Sequence, residues 1–139
     1  MVALQPRLEQ RGRSSEPATA GTHVLLVEGL TDARETLAEL LEALGYRVTA
    51  VAGVVEARKL AVAPDAVISD LALPDGTGFS LIAELQGRPG WERVRTMALT
   101  AYDDPDSRSR AAQAGFQEFL TKPVSIWVLH RMLQSLVLS

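Results

Sequence analysis

Val24-Leu25-Leu26-Val27-Glu28 is an unbroken apolar run that ends on an acid. Four consecutive apolar residues with no polar alternate have the pattern of a strand buried on both faces. A helix signal follows at once. Asp32 with Glu35 three residues on resembles a capping box. Ala33, Leu37, Leu40, Leu41 and Leu44 recur at helical spacing, and Gly45 stands where such a helix should end. The strand-then-helix unit repeats down the chain. Tyr46 to Val51 reads as a strand, and Val54, Ala57, Leu60 and Ala61 as the apolar side of a second helix. Ala66-Val67-Ile68-Ser69 is another fully buried strand, closed by Asp70, and the loop Leu71 to Gly78 leads into a helix carrying Phe79, Ile82 and Leu85. Val94 to Leu99 is a fourth strand. Asp104-Pro105 pairs an N-cap residue with proline at the first helical position, and that helix runs to Gly115. Phe116 to Leu120 is the fifth strand. The last helix is Ile126 to Leu138, with Ile126, Leu129, Leu133 and Leu136 on one side. Five strands alternating with five helices over short connections predict one α/β domain, a doubly wound parallel sheet covered on both faces.

Composition fits that reading and excludes several others. The chain has 139 residues, 47% hydrophobic and 22% charged, which suits a single globular domain. It has no cysteine, so there is no disulfide scaffold, thiolate metal site or cysteine nucleophile. Two histidines, His23 and His130, are too few for a multi-histidine metal cage, and both are read as structural or surface residues. Trp91 and Trp127 are read as packing against the domain. A net charge of −3 gives no sign of direct nucleic-acid binding. No apolar run reaches the roughly 18 residues of a membrane span, and the N-terminus lacks a secretory core, so the expected location is cytoplasmic. Residues 1–22 read as a flexible polar arm or linker and 23–138 as the domain. Arginine outnumbers lysine twelve to two, a compositional bias that makes the two lysines, Lys59 and Lys122, more telling than usual.

In sheets of this type ligands bind beyond the carboxyl ends of the strands. Glu28 follows the first strand, Asp70 the third, Thr100 and Ala101 the fourth, and Lys122 and Pro123 the fifth. Two carboxylates, a hydroxyl and an ammonium would converge on one edge. That set suits a phosphoryl group with a hard divalent cation: carboxylates take the metal, while hydroxyl and ammonium take phosphoryl oxygens. An aspartate can itself be the nucleophile and form an acyl phosphate.

The order and spacing of Val24–Glu28, Asp70-Leu71-Ala72-Leu73-Pro74-Asp75-Gly76-Thr77-Gly78, Leu99-Thr100-Ala101, Ala114-Gly115 and Thr121-Lys122-Pro123 resemble the receiver domain of two-component response regulators over about residues 22 to 138. The resemblance implies a flavodoxin-like sheet of strand order 2-1-3-4-5. It also implies that Asp70 takes a phosphoryl group from a histidine kinase or phosphotransfer protein. Glu28, Asp70 and the Ala72 carbonyl correspond to the magnesium ligands, Thr100 and Lys122 to the hydroxyl and ammonium that meet the phosphoryl group, and Phe119 to the aromatic switch. The face from Asp104 to Gly115 with Phe119 corresponds to the surface offered to a downstream protein or to a second copy in a homodimer. Ala72 and Tyr102 fall at positions that tune phosphoryl lifetime, and neither offers a group to activate water.

One position departs from the family pattern. Two adjacent acids normally follow the first strand, and here they are Glu28 and Gly29. Magnesium demands near-ideal octahedral geometry, so losing one of few charged ligands should weaken its binding. Asp32 is nearby but is expected to cap the first helix. Three readings follow: a working phosphoacceptor with weak magnesium affinity, a degenerate receiver acting as a phosphorylation-independent interaction module, and an aspartate-nucleophile phosphatase. Ala72 stands where such phosphatases carry a second aspartate, and no glycine-rich loop ends in Gly-Lys-Ser/Thr to hold a nucleotide. On either of the first two readings the protein is a signalling module rather than an enzyme.

Overall fold

The computed structural model describes residues 20–138, so the expected arm lies almost wholly outside the described residues. In chain order the elements are β1 (His23–Val27), α1 (Thr31–Ala43), β2 (Arg47–Val51), α2 (Val54–Arg58), β3 (Ala66–Asp70), a small antiparallel pair β4 (Ala72–Leu73) and β5 (Gly76–Thr77), α3 (Gly78–Gln86), β6 (Arg95–Thr100), α4 (Pro105–Ala114), β7 (Glu118–Thr121) and α5 (Ile126–Leu138). The main sheet is parallel throughout and ordered β2-β1-β3-β6-β7, as the family resemblance implies.

The two-residue period of a strand divides the core. Val24 and Leu26 of β1 face one side with Ile68, Met97 and Leu99, against Leu37 and Leu41 of α1 and Leu129, Leu133 and Leu136 of α5. Leu25 and Val27 face the other, with Val67 and Ala98, against Val54 and Ala57 of α2, Leu81, Ile82 and Leu85 of α3 and Ala111 of α4. Each core leucine buried this way contributes on the order of 2 kcal/mol. Ala111 is the sole buried residue of α4. That helix is otherwise held by Arg108 over the Phe119 ring at 4.6 Å and Arg110 over the Phe79 ring at 4.4 Å.

Chain termini of the elements follow local chemistry. Asp104 caps α4 through its carboxylate, which accepts the Ser107 amide at 3.0 Å, with Pro105 next. Gly45 and Gly115 close α1 and α4 with φ of +102° and +120°, the region glycine enters without strain. Gly21 and Thr22 already join the domain, the Gly21 amide donating to Gly45 and the Thr22 carbonyl accepting from Arg47.

Four expectations need correction. Asp32 does not cap α1. The helix begins at Thr31 after Leu30, with no side-chain cap, because the Glu28 carboxylate takes the Leu30 amide and turns the chain into the helix early. Asp32 sits in the first turn, where its charge favours the helix dipole. α2 stops at Arg58 instead of reaching Ala61, since Lys59 and Leu60 bond back in a tightened turn and Arg88 takes the Arg58 and Leu60 carbonyls. The loop after Asp70 contains the β4–β5 ladder. Trp127 is 65% exposed, because the buried side of α5 is set by Leu129, Leu133 and Leu136 and Trp127 falls on the opposite side. Trp91 is buried as expected, under the Arg88 guanidinium. His23 bonds Thr49 and His130 bonds the Tyr46 hydroxyl, both away from the strand-end edge. No helix among the described residues is long and apolar enough to cross a membrane.

Candidate functional site

β1 and β3 are neighbours in the sheet, yet the chain leaves β1 for β2 on one side and returns to β3 on the other. Their carboxyl ends therefore flank the crevice where the winding reverses. The strand register carries Glu28 just past Val27 and Asp70 to the last residue of β3, and both side chains turn into that crevice. Lys122 follows β7 and reaches across, its peptide to Pro123 being cis. Its ammonium donates to Glu28 Oε1 at 2.7 Å and to Asp70 Oδ2 at 2.6 Å. Glu28 is 2% exposed and Asp70 8%, so this is a charge cluster largely withdrawn from water.

The remaining carboxylate oxygens are also held. Glu28 Oε2 accepts the Leu30 amide at 3.0 Å, and Asp70 Oδ1 accepts the Ala72 amide at 3.0 Å. Burial works against the Lys122 ammonium, but its hydrogen bonds to Asp70 and Glu28 outweigh that, and its pKa stands above the ordinary lysine value. Thr100 ends β6, completely buried, with Oγ1 accepting the Tyr102 amide at 3.1 Å. Asp70, Ala72, Ala101, Tyr102 and Lys122 all line one cleft of about 340 Å³. A second cleft of about 430 Å³ lies on the other side of Lys122, lined largely by α1 and Val124. Asp70 opens only to the first, which is where chemistry on its carboxylate has room.

Glu28, Asp70, Ala72 and Lys122 thus line one cleft, while Thr100 lies beside it at the end of β6, its carbonyl accepting the Lys122 amide and its side chain lining neither cleft. Phe119 is not among them. It is half-buried against the α2–α3–α4 side of the core, beneath Arg108, which also pairs with Asp103 of the loop after β6. Three contacts escaped the sequence reading, although Pro74 and Asp75 stand in the quoted stretch after Asp70. Arg34 donates to the Glu28 carbonyl at 2.9 Å and fixes the turn after β1. Asp75 accepts the Val54 and Val55 amides at 2.7 and 3.0 Å, tying the loop after Asp70 to the start of α2. Pro74 packs on Gly29 so closely that a Cβ there would lie 2.8 Å from the proline ring. None had a local signal: Arg34 was one arginine among twelve, and the other two contacts join segments distant in sequence.

A family model described as the response regulator receiver domain matches residues 24–134. The chain belongs to that family. The receiver domain is 36% identical over 119 residues to the KDP operon transcriptional regulatory protein KdpE of Escherichia coli, covering 81% of this chain and 50% of that protein. It is 36% identical over 118 residues to an uncharacterized 14.6 kDa protein of Leptolyngbya boryana, covering 84% and 90%. Its fold matches the receiver domain of a sensor histidine kinase from Pseudomonas aeruginosa with a TM-score of 0.76 at 35% identity, covering 86% and 100%; that structure is described with a magnesium ion coordinated in its active-site cleft. Receivers of this family serve two-component signalling, within response regulators and within histidine kinases, and meet histidine kinases or phosphotransfer proteins.

The groups that would hold a magnesium ion in this cleft are Glu28, Asp70 and the Ala72 carbonyl. Two carboxylates remain where the family has three, and each of their four oxygens already accepts a hydrogen bond, two of them from an ammonium. Among the described residues no group of three His, Cys, Asp or Glu gathers to hold a metal.

Proposed function

We propose that this receiver accepts a phosphoryl group on Asp70 from a histidine kinase or phosphotransfer protein and passes the change to a protein-binding surface. The observation that carries the reading is the Lys122 ammonium bonded to both acids at the floor of a cleft large enough for a phosphoryl group. In the transfer an Asp70 carboxylate oxygen attacks phosphorus. The phosphorus–nitrogen bond of the donor's phosphohistidine breaks, and its electron pair leaves with the imidazole. The product is an acyl phosphate. Lys122 offsets charge as it builds on the phosphoryl oxygens and afterwards faces about 1.5 to 2 added negative charges.

Thr100 supplies the readout. Its hydroxyl oxygen is engaged by the Tyr102 amide, so turning it to a phosphoryl oxygen requires the loop after β6 to move. That loop carries Asp103, which holds Arg108 over Phe119, so the motion reaches the α4 face proposed for a downstream partner or a second copy.

Intact mass after incubation with acetyl phosphate and magnesium tests the reading, with Asp70→Ala alongside. One added phosphoryl group on the wild type alone is the expected result; equal uptake by the variant refutes the acceptor role. No uptake by folded protein favours a second reading, a receiver that binds partners without phosphorylation. The specific observation behind that alternative is that Lys122 already bonds both acids and offsets half of their charge.

A further inference from the structure

The loop after Asp70 is a hairpin anchored at both ends. At its base the Ala72 amide donates to Asp70 Oδ1 at 3.0 Å and fixes that oxygen. Ala72 pairs with Thr77 and Leu73 with Gly76, so Pro74 and Asp75 form the tip. There the Asp75 carboxylate crosses to another element. It accepts the Val54 amide at 2.7 Å and the Val55 amide at 3.0 Å, two of the groups that the first turn of α2 leaves without a helical partner. Those bonds hold the Asp75 carboxyl below the ordinary aspartate range. The fit is close. A Cβ on Gly53 would collide with the Asp75 carboxylate, and one on Gly76 would lie 2.9 Å from a Val54 methyl. Two ladder pairs are too few to hold a hairpin by themselves. Its other attachments, Leu73 against the core and Pro74 on Gly29, are apolar and non-directional. The bonds to Asp75 therefore set the angle at which the hairpin meets Asp70.

We propose that Asp75 is a positioning residue for Asp70: by pinning the hairpin to α2 it keeps the Ala72 amide on Asp70 Oδ1, and it makes α2 and the Asp70 carboxylate one coupled unit. Whatever frees Asp70 Oδ1 at the base is felt at Val54 and Val55. Val55 is 52% exposed, so α2 carries that change to the surface by a path separate from Thr100 and α4. The role rests on the reading of Asp70 as phosphoacceptor, but the coupling is measured with no phosphoryl donor present, so either can fail without the other.

The test is amide hydrogen exchange followed residue by residue by NMR. In Asp75→Ala the Ala72 amide should exchange about fivefold or more faster than in wild type. Gly53→Ala should do the same from the α2 side, since its methyl pushes the carboxylate away while every residue of the hairpin is kept. Asp75→Asn retains one accepting oxygen and should fall between. Coupling is reciprocal, so Asp70→Ala should quicken the Val54 and Val55 amides by a similar factor. Gly115→Ala, strained at the end of α4 by a φ of +120°, controls for general destabilisation and should leave the Ala72 amide as in wild type. An unchanged Ala72 amide in Asp75→Ala or in Gly53→Ala overturns the proposal. So do unchanged Val54 and Val55 amides in Asp70→Ala, or a Gly115→Ala variant that quickens Ala72 as much as Asp75→Ala does. Should Asp75→Ala fail to fold, Gly53→Ala takes its place.

Discussion

Lys122→Met in metal-free buffer measures what holds the site together. The substitution keeps the unbranched stem of the side chain, one atom shorter, and removes its charge. Glu28 and Asp70, whose side chains are 3% and 11% exposed, are left facing each other with no cation between them. Removing one partner of a buried ion pair costs about 3–5 kcal/mol. Lys122 is itself 23% exposed, so water can enter the vacated place, and the low end, about 3 kcal/mol, is the expected loss. For a domain of this size that lowers the melting temperature by roughly 10–15 °C and the urea midpoint by roughly 1.5 M. The pH dependence carries the mechanism. In wild type the Lys122 pKa is raised, so its stabilisation is complete below the ordinary lysine value and is lost only as pH climbs through the higher folded one. The gap between the two proteins is therefore complete at neutral pH and closes as pH climbs through that raised lysine value. Urea unfolding followed by circular dichroism in EDTA at pH 5, 7 and 9 reads it. A loss below about 1 kcal/mol at pH 7 would refute the reasoning.

Three further outcomes can be checked. Gly29→Asp should strengthen magnesium binding beyond both wild type and Gly29→Ala, while both variants lose about 1–2 kcal/mol in EDTA because the new Cβ meets the Pro74 ring; equal magnesium affinity in the two variants would contradict the account of the missing carboxylate. Gly115→Ala should cost about 1–2 kcal/mol by chemical denaturation, since its φ of +120° disfavours any side chain and its Cβ would displace the Gln86 amide. Phosphoryl-Asp70, once formed, should decay slowly, because Ala72 and Tyr102 bring no base to a water molecule; rapid loss in a radiolabel chase would count against that.

How far the sequence could be read depended on whether a residue's task was local. β1 and β3 announced themselves because strands buried on both faces must be apolar throughout, and α4 because Asp104, Pro105 and Gly115 each act on the adjacent backbone. The strand-end acids, hydroxyl and ammonium were legible for the same reason: in a parallel sheet, chain position alone brings Glu28, Asp70, Thr100 and Lys122 to one edge. What failed was decided at a distance. The early start of α1 depends on the Glu28 carboxylate holding the Leu30 amide, and the early end of α2 on Arg88 from the turn after α3. The contact of Pro74 with Gly29 joins residues 45 positions apart in a sequence that gives no hint of it.

The manner in which α4 is attached has a bearing on how this module can diversify. Buried Ala111, half-buried Ala114 and two cation–ring contacts hold it, so most of its surface is free of obligations to the core. Substitutions there leave the acid pair and its lysine untouched. Recognition of a new partner can therefore be written into α4 while the chemistry at the sheet edge is inherited unchanged. The same looseness makes α4 the natural place to graft a foreign binding helix onto this scaffold.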